Sequence, residues 1–340
     1  MRVRNVLYVV LTVASATACE GVPIVCAQLT LDACQKAEDV AYMVSAQRGD
    51  QTATGNVIVG EGGALHVPGA VTVAVRVSGV RQHDPRVSGV TARTDGQVGS
   101  STFGVDRGTA TPISFDVAVG ALPGFRVGNN RVGGVDVILG AGAPAVRSGG
   151  DVRVKQKGFS AVSGALRVGL LSGDGSLPAL TLTGIARDLP SMEVALAPMP
   201  TTGGGTATIG IDELDVSTLG VRLAASKRLG RLSLTGGVGR DRYRSRASFQ
   251  VNVREPTGRP DGGEIGENVS RTATFKITRN TAFGGVSWAV GRAAVSAELG
   301  RVTGGPASST LNRFAPHPPN AARGFVTLGV TLRTGRTDQE

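Results

Sequence analysis

The chain has 340 residues, 41% of them hydrophobic, 18% charged and only 4% aromatic, with a formal net charge of +10. That balance excludes both a disordered chain and a bundle of membrane helices, and with one Trp and three Tyr there is no aromatic-basic signature for nucleic acid. Fifty glycines, about twice the usual share, are dispersed without a three-residue period, which excludes collagen and points to turns and bends between strands.

In chain order, Met1-Arg2-Val3-Arg4 is a short positive start, Val6 to Ala14 is an apolar core, and Val25-Cys26-Ala27 is a small-x-small site before Gln28. Residues 1–27 therefore read as a signal peptide, because the run falls short of the roughly 20 apolar residues of a spanning helix. Ala16-Thr17-Ala18-Cys19 offers a second cut that resembles a lipoprotein box, with Ala16 where a larger aliphatic is usual. Cys19, Cys26 and Cys34 lack metal-site spacing, so neither a metal nor a cofactor is expected.

Residues 28–68 form an N-terminal helix and lead-in. Leu31, Cys34, Ala37, Val40, Ala41 and Val44 recur at three and four, which predicts a helix over Leu31–Gln47. Three placements stay open: beneath the body of the chain, folded into its mouth, or a loose leader.

From Gly69 onward the period is two. In Ala70 to Ser78 every odd position is valine, while Ala, Thr, Ala, Arg and Ser take the even ones. Alternate side chains leave opposite faces of a strand, so one face is aliphatic and the other small or polar. Ile113–Val119, Val135–Leu139, Ser163–Leu170, Leu180–Thr183, Leu219–Ala224, Leu232–Thr235, Val286–Val290, Ala293–Leu299 and Val326–Arg333 repeat the pattern. Tight turns fall at Ser172–Ser176, Lys227–Gly230 and Gly291-Arg292. Long polar stretches lie between: Gln82–Ala110, Pro198–Thr206, Arg254–Val269 and Thr303–Asn320.

These segments resemble bacterial outer-membrane β-barrel proteins of small to medium size, a resemblance of pattern that covers Gly69 to Arg333. It implies an all-β, antiparallel up-and-down transmembrane barrel of about ten strands (8–12) over residues 69–334, followed by a tail, 335–340. The aliphatic side of each alternating segment would then meet lipid. Gly324–Arg333 is similar to the family's closing strand, the signal read by the barrel-assembly machinery, but lacks a terminal aromatic. The implied location is the bacterial outer membrane.

Arg76, Asp116, Asp136, Arg167, Arg187, Arg222, Glu298 and Arg333 fall on the small-polar side and are assigned to the lumen. The alternative faces lipid, where a mid-bilayer arginine costs about 2–4 kcal/mol. In the lumen these charges either pair with one another or line a narrow passage for small anionic solutes. The run Arg240, Arg242, Arg244, Arg246 points toward a long loop and is a candidate grip for lipopolysaccharide phosphates. No catalytic residue is assigned: His83-Asp84 reads as an exposed loop pair and His317 as a loop residue, with no nucleophile elbow. Three functions remain, in order: a non-catalytic, porin-like transport barrel; a structural or adhesive surface barrel with a plugged lumen and binding loops; and an outer-membrane hydrolase.

Overall fold

The computed structural model describes residues 28–52, 55–61, 63–65, 67–127, 130–145, 151–158, 160–173, 177–258, 262–304 and 310–334. The expected signal peptide, Cys19, Cys26 and the 335–340 tail lie outside the described residues.

A helix, α1 (Leu31–Thr52), precedes ten strands: β1 (Val71–Arg86), β2 (Ile113–Leu122), β3 (Gly134–Ala143), β4 (Ala161–Leu171) and β5 (Ala179–Asp188). The second five are β6 (Thr206–Leu229), β7 (Leu232–Pro256), β8 (Glu264–Val290), β9 (Ala293–Gly304) and β10 (Arg323–Thr334). Each pairs antiparallel with the next in sequence. β10 returns to β1 over ten residue pairs, Val71↔Thr334 to Val80↔Phe325, and closes the ring. Closure removes the unpaired edges that a lipid environment cannot satisfy.

One end of the ring carries tight connections. Gly230-Arg231 and Gly291-Arg292 are two-residue turns, with positive φ at Gly230 and Gly291, the conformation such hairpins need. The other end carries the long connections and extra strands. Thr102–Ala110 pairs with the top of β1, Arg313–Ala315 pairs with it in turn, and Met192–Leu196 followed by Val152–Gln156 widens the sheet beside β6. The stretches Gln82–Ala110 and Arg254–Val269, read from sequence as polar loops, are about half strand. β1 runs on to Arg86, and β7 and β8 continue to a connection of residues 257–263.

β6, β7 and β8 have 24, 25 and 27 residues, more than twice the 9–11 or so that cross a bilayer. Their aliphatic face changes sides along the strand. In β6, Leu219, Val221 and Leu223 point outward and are exposed, whereas Ile209, Ile211, Leu214 and Val216 point inward and are buried. β7 exposes Leu234 and Val238 but buries Phe249, Val251 and Val253; β8 exposes Val286, Trp288 and Val290 but buries Phe275 and Ile277. The expectation that the aliphatic side always meets lipid is thus corrected for the loop-end halves. There the sheet leaves the bilayer and needs an internal core, as any water-facing sheet does.

That core is α1. The Thr30 carbonyl accepts the Cys34 N–H at 2.8 Å, and Asp32 puts negative charge in the first turn, where the helix dipole favours it. The helix runs to Thr52, five residues past the stretch read from sequence. Eighteen of its 22 residues are buried, so it is enclosed on every side. Ala33, Ala37, Val40, Met43 and Val44 join one cluster with the inward side chains of β6, β7 and β8. Small residues permit close approach: a Cβ on Gly49 would stand 2.2 Å from the Tyr243 ring.

Candidate functional site

The lower lumen is occupied by the chain itself. Residues 55–61 and 63–65 descend from α1 toward the turn end without regular structure, so their backbone groups need partners from the wall. Arg222 Nε donates to the Gly55 carbonyl at 3.2 Å, and Arg76 Nη1 to the Asn56 carbonyl at 3.0 Å. Glu298 accepts the Asn56 N–H at 3.1 Å, Asp136 accepts the Leu65 N–H at 3.1 Å, and the Ser287 hydroxyl donates to the Gly60 carbonyl at 3.3 Å. Val57 and Ile58 fill the space between, against Ala74, Ala118, Ile138, Ala165 and Ile185.

The wall charges are also tied to one another. Arg222 meets Asp241 at 2.7 Å, Arg167 meets Asp136 at 2.8 Å and Arg76 lies 3.4 Å from Asp116. Glu61, on the descending segment, takes Arg333 at 2.8 Å and lies 3.6 Å from Arg167. Of the eight lumen charges expected from sequence, Arg76, Asp116, Asp136, Arg167, Arg187, Arg222 and Glu298 are buried inside, while Arg333 is half-exposed at the turn-end mouth. Arg187 is 6% exposed, and its Nη1 and Nη2, like those of Arg167, have no hydrogen-bond partner; Arg167 is held instead through Nε by Asp136.

A second cluster locks the C-terminal end of α1. Asp50 accepts the Tyr243 hydroxyl at 3.1 Å and Arg279 Nη2 at 3.1 Å, and it pairs with Arg323. Both arginines also donate to the Pro319 carbonyl, which brings the loop before β10 into the same knot. Higher up, Gln47 exchanges two hydrogen bonds with the His83 backbone, and Asp39 holds the N–H and side-chain amide of Asn312 at 2.8 Å each. Burial raises the Asp39 pKa above the usual carboxylate value, against those two hydrogen bonds. The N-terminal end of α1 lies at the loop end, where the Leu29 N–H reaches Glu267 at 3.1 Å; Gly69, at the other end of the descent, binds the Gly120 carbonyl.

On the outer surface, Arg240, Arg242, Arg244 and Arg246 are all exposed and project from one face of β7. Arg240 and Arg242 lie beside Val221 and Leu219 of the apolar belt; Arg244 and Arg246 continue beyond it, beside Ser217 and Asp215. Arg244 sits directly opposite Lys276, also exposed. Like charges so placed destabilise a sheet unless an anion intervenes.

His83 is not the exposed loop residue expected from sequence. It lies in the upper part of β1, is 6% exposed, and stacks on His317 with ring centroids 4.0 Å apart. Sequence reading missed Asp50, Glu61, Asp241, Tyr243, Arg279 and Arg323. The alternation that turns Arg240 to Arg246 outward turns Asp241 and Tyr243 inward, so those two carried a usable signal. Asp50 and Glu61 lie in the lead-in, where no period of two applies.

No protein-family model and no curated protein matches the chain. Solved structures do. The β domain of the Bordetella autotransporter BrkA is 11% identical, with 78% of this chain and 99% of that one covered and a TM-score of 0.36. The translocator domain of the autotransporter NalP from Neisseria meningitidis is 11% identical over 91% and 100%, with a TM-score of 0.35. Ail, the attachment invasion locus protein of Yersinia pestis, is 10% identical over 79% and 100%, with a TM-score of 0.24. The likeness is one of fold. The closed ring and its outward belt of exposed Val, Leu and Phe side chains make the chain a β-barrel of the bacterial outer membrane.

Proposed function

We propose that the protein is a non-catalytic surface barrel, closed by its own N-terminal segment, whose working surface is the loop end and the basic ladder beneath it. One observation carries this reading: α1 is enclosed on all sides, and Arg76, Arg167 and Arg222 are engaged by the descending segment and by wall carboxylates. A porin-like passage would require that whole set of bonds to break. The ladder on β7 fits lipopolysaccharide phosphates, because its guanidinium groups run outward from the edge of the apolar belt to the level of the headgroups. Delivery to the membrane would fall to the barrel-assembly machinery acting on β10.

Liposome swelling tests the closed lumen. Wild-type protein should admit neither arabinose nor glycine. Asp50→Ala removes the acceptor shared by Tyr243, Arg279 and Arg323, and breaking such a buried pair costs about 3–5 kcal/mol. This variant should show measurable swelling while still inserting. Wild-type swelling at the rate of an open porin would refute the proposal.

A further inference from the structure

From the structure we infer that the cavity beside Arg187 is a binding site for a small carboxylate with a short apolar tail. The cavity lies near the loop end of β2 to β5, next to the end of α1. It measures about 50 Å³ on the scale where one enclosed water takes roughly 10–15 Å³, which is room for a ligand of a few heavy atoms. Arg187 lines it, more than nine-tenths buried, with both terminal nitrogens lacking a hydrogen-bond partner. A buried guanidinium in that state is costly, and a planar carboxylate offers the two parallel acceptors that match it.

The neighbours select the charge and shape of the ligand. Arg76 also borders the cavity but lies with Asp116 at 3.4 Å, so that pair adds no net charge and Arg187 supplies a surplus of one. A monoanion balances it, whereas a sulfate or phosphate dianion would meet Asp116. Pro112, Pro144 and Leu189 provide an apolar wall for a tail of two to four carbons, about the size the cavity admits. This inference goes beyond a closed surface barrel and does not rest on it.

The test is calorimetric titration of the full-length barrel, in uncharged detergent, with acetate, butyrate and sulfate at constant ionic strength in chloride. Butyrate should bind saturably and more tightly than acetate, with sulfate weaker than both. Arg187→Gln should weaken butyrate at least tenfold. Ser163→Leu, which narrows the cavity from β4 directly opposite Arg187 while leaving the guanidinium charge in place, should do the same, so the result stands even if the arginine variant fails to fold. Arg292→Gln, in an exposed turn at the opposite end of the ring, should leave the affinity unchanged. No saturable butyrate binding, wild-type affinity in both cavity variants, or preference for sulfate would overturn the assignment.

Discussion

His83 is a side chain whose protonation its neighbours decide. It lies beyond the lipid belt, and burial, then the charges of His317, Arg323, Arg107 and Arg81, push its pKa down to about 4. The folded site therefore refuses a proton that the open chain accepts near pH 6.5. Stability from this residue is full above pH 6.5 and is lost as pH falls from there to about 4. The protection of the amides at residues 312–322, which hold His317 and Pro319 against β1 and α1, should fall by about tenfold between pH 7 and pH 4.5 once the slower intrinsic exchange at low pH is divided out. His83→Gln should flatten that dependence; an unchanged slope in the variant would remove His83 from the account. Gly55 shows the same local crowding in another form. Its φ is +54°, and a Cβ there would overlap the Glu298 carboxylate. The descending segment can thus pass the wall at this point only without a side chain.

β7 is where one element serves two opposed environments. Its inward residues Tyr243, Ala247 and Phe249 pack on α1, while the alternating Arg240, Arg242, Arg244 and Arg246 face outward. Replacing all four arginines with glutamine should leave the fold intact, since none packs in the core, and should cut binding to lipopolysaccharide micelles by tenfold or more. Unchanged binding would assign the ladder to solvent. The alternation itself was readable from sequence, as were the strands around Val71–Ser78, Ile113–Val119 and Leu219–Ala224. The length of β6 to β8 was not. Their upper halves hold Thr, Ser, Asn and charged residues on the outward side, so residues 254–269 resemble a polar loop when no inward core is known to receive Val251, Val253 or Phe275.

Ring closure makes the molecule resistant as a unit, because β1 cannot leave without breaking its pairing to both β2 and β10. Unboiled protein in dodecyl sulfate should therefore run as a compact species and shift on heating; identical mobility before and after boiling would contradict a closed barrel. Cell fractionation of the same samples should place it with the outer membrane. The amino-acid sequence by itself determined the alternating strands, an approximate strand number and the side of the sheet taken by the charges in its cleanest alternating segments, because a period of two is a local property of the chain. Only the tertiary structure decided that α1 lies inside the ring, that the lumen arginines hold a descending backbone, and that the aliphatic face reverses above the membrane. Each of these depends on which distant segment fills the enclosed space, and no local period records that.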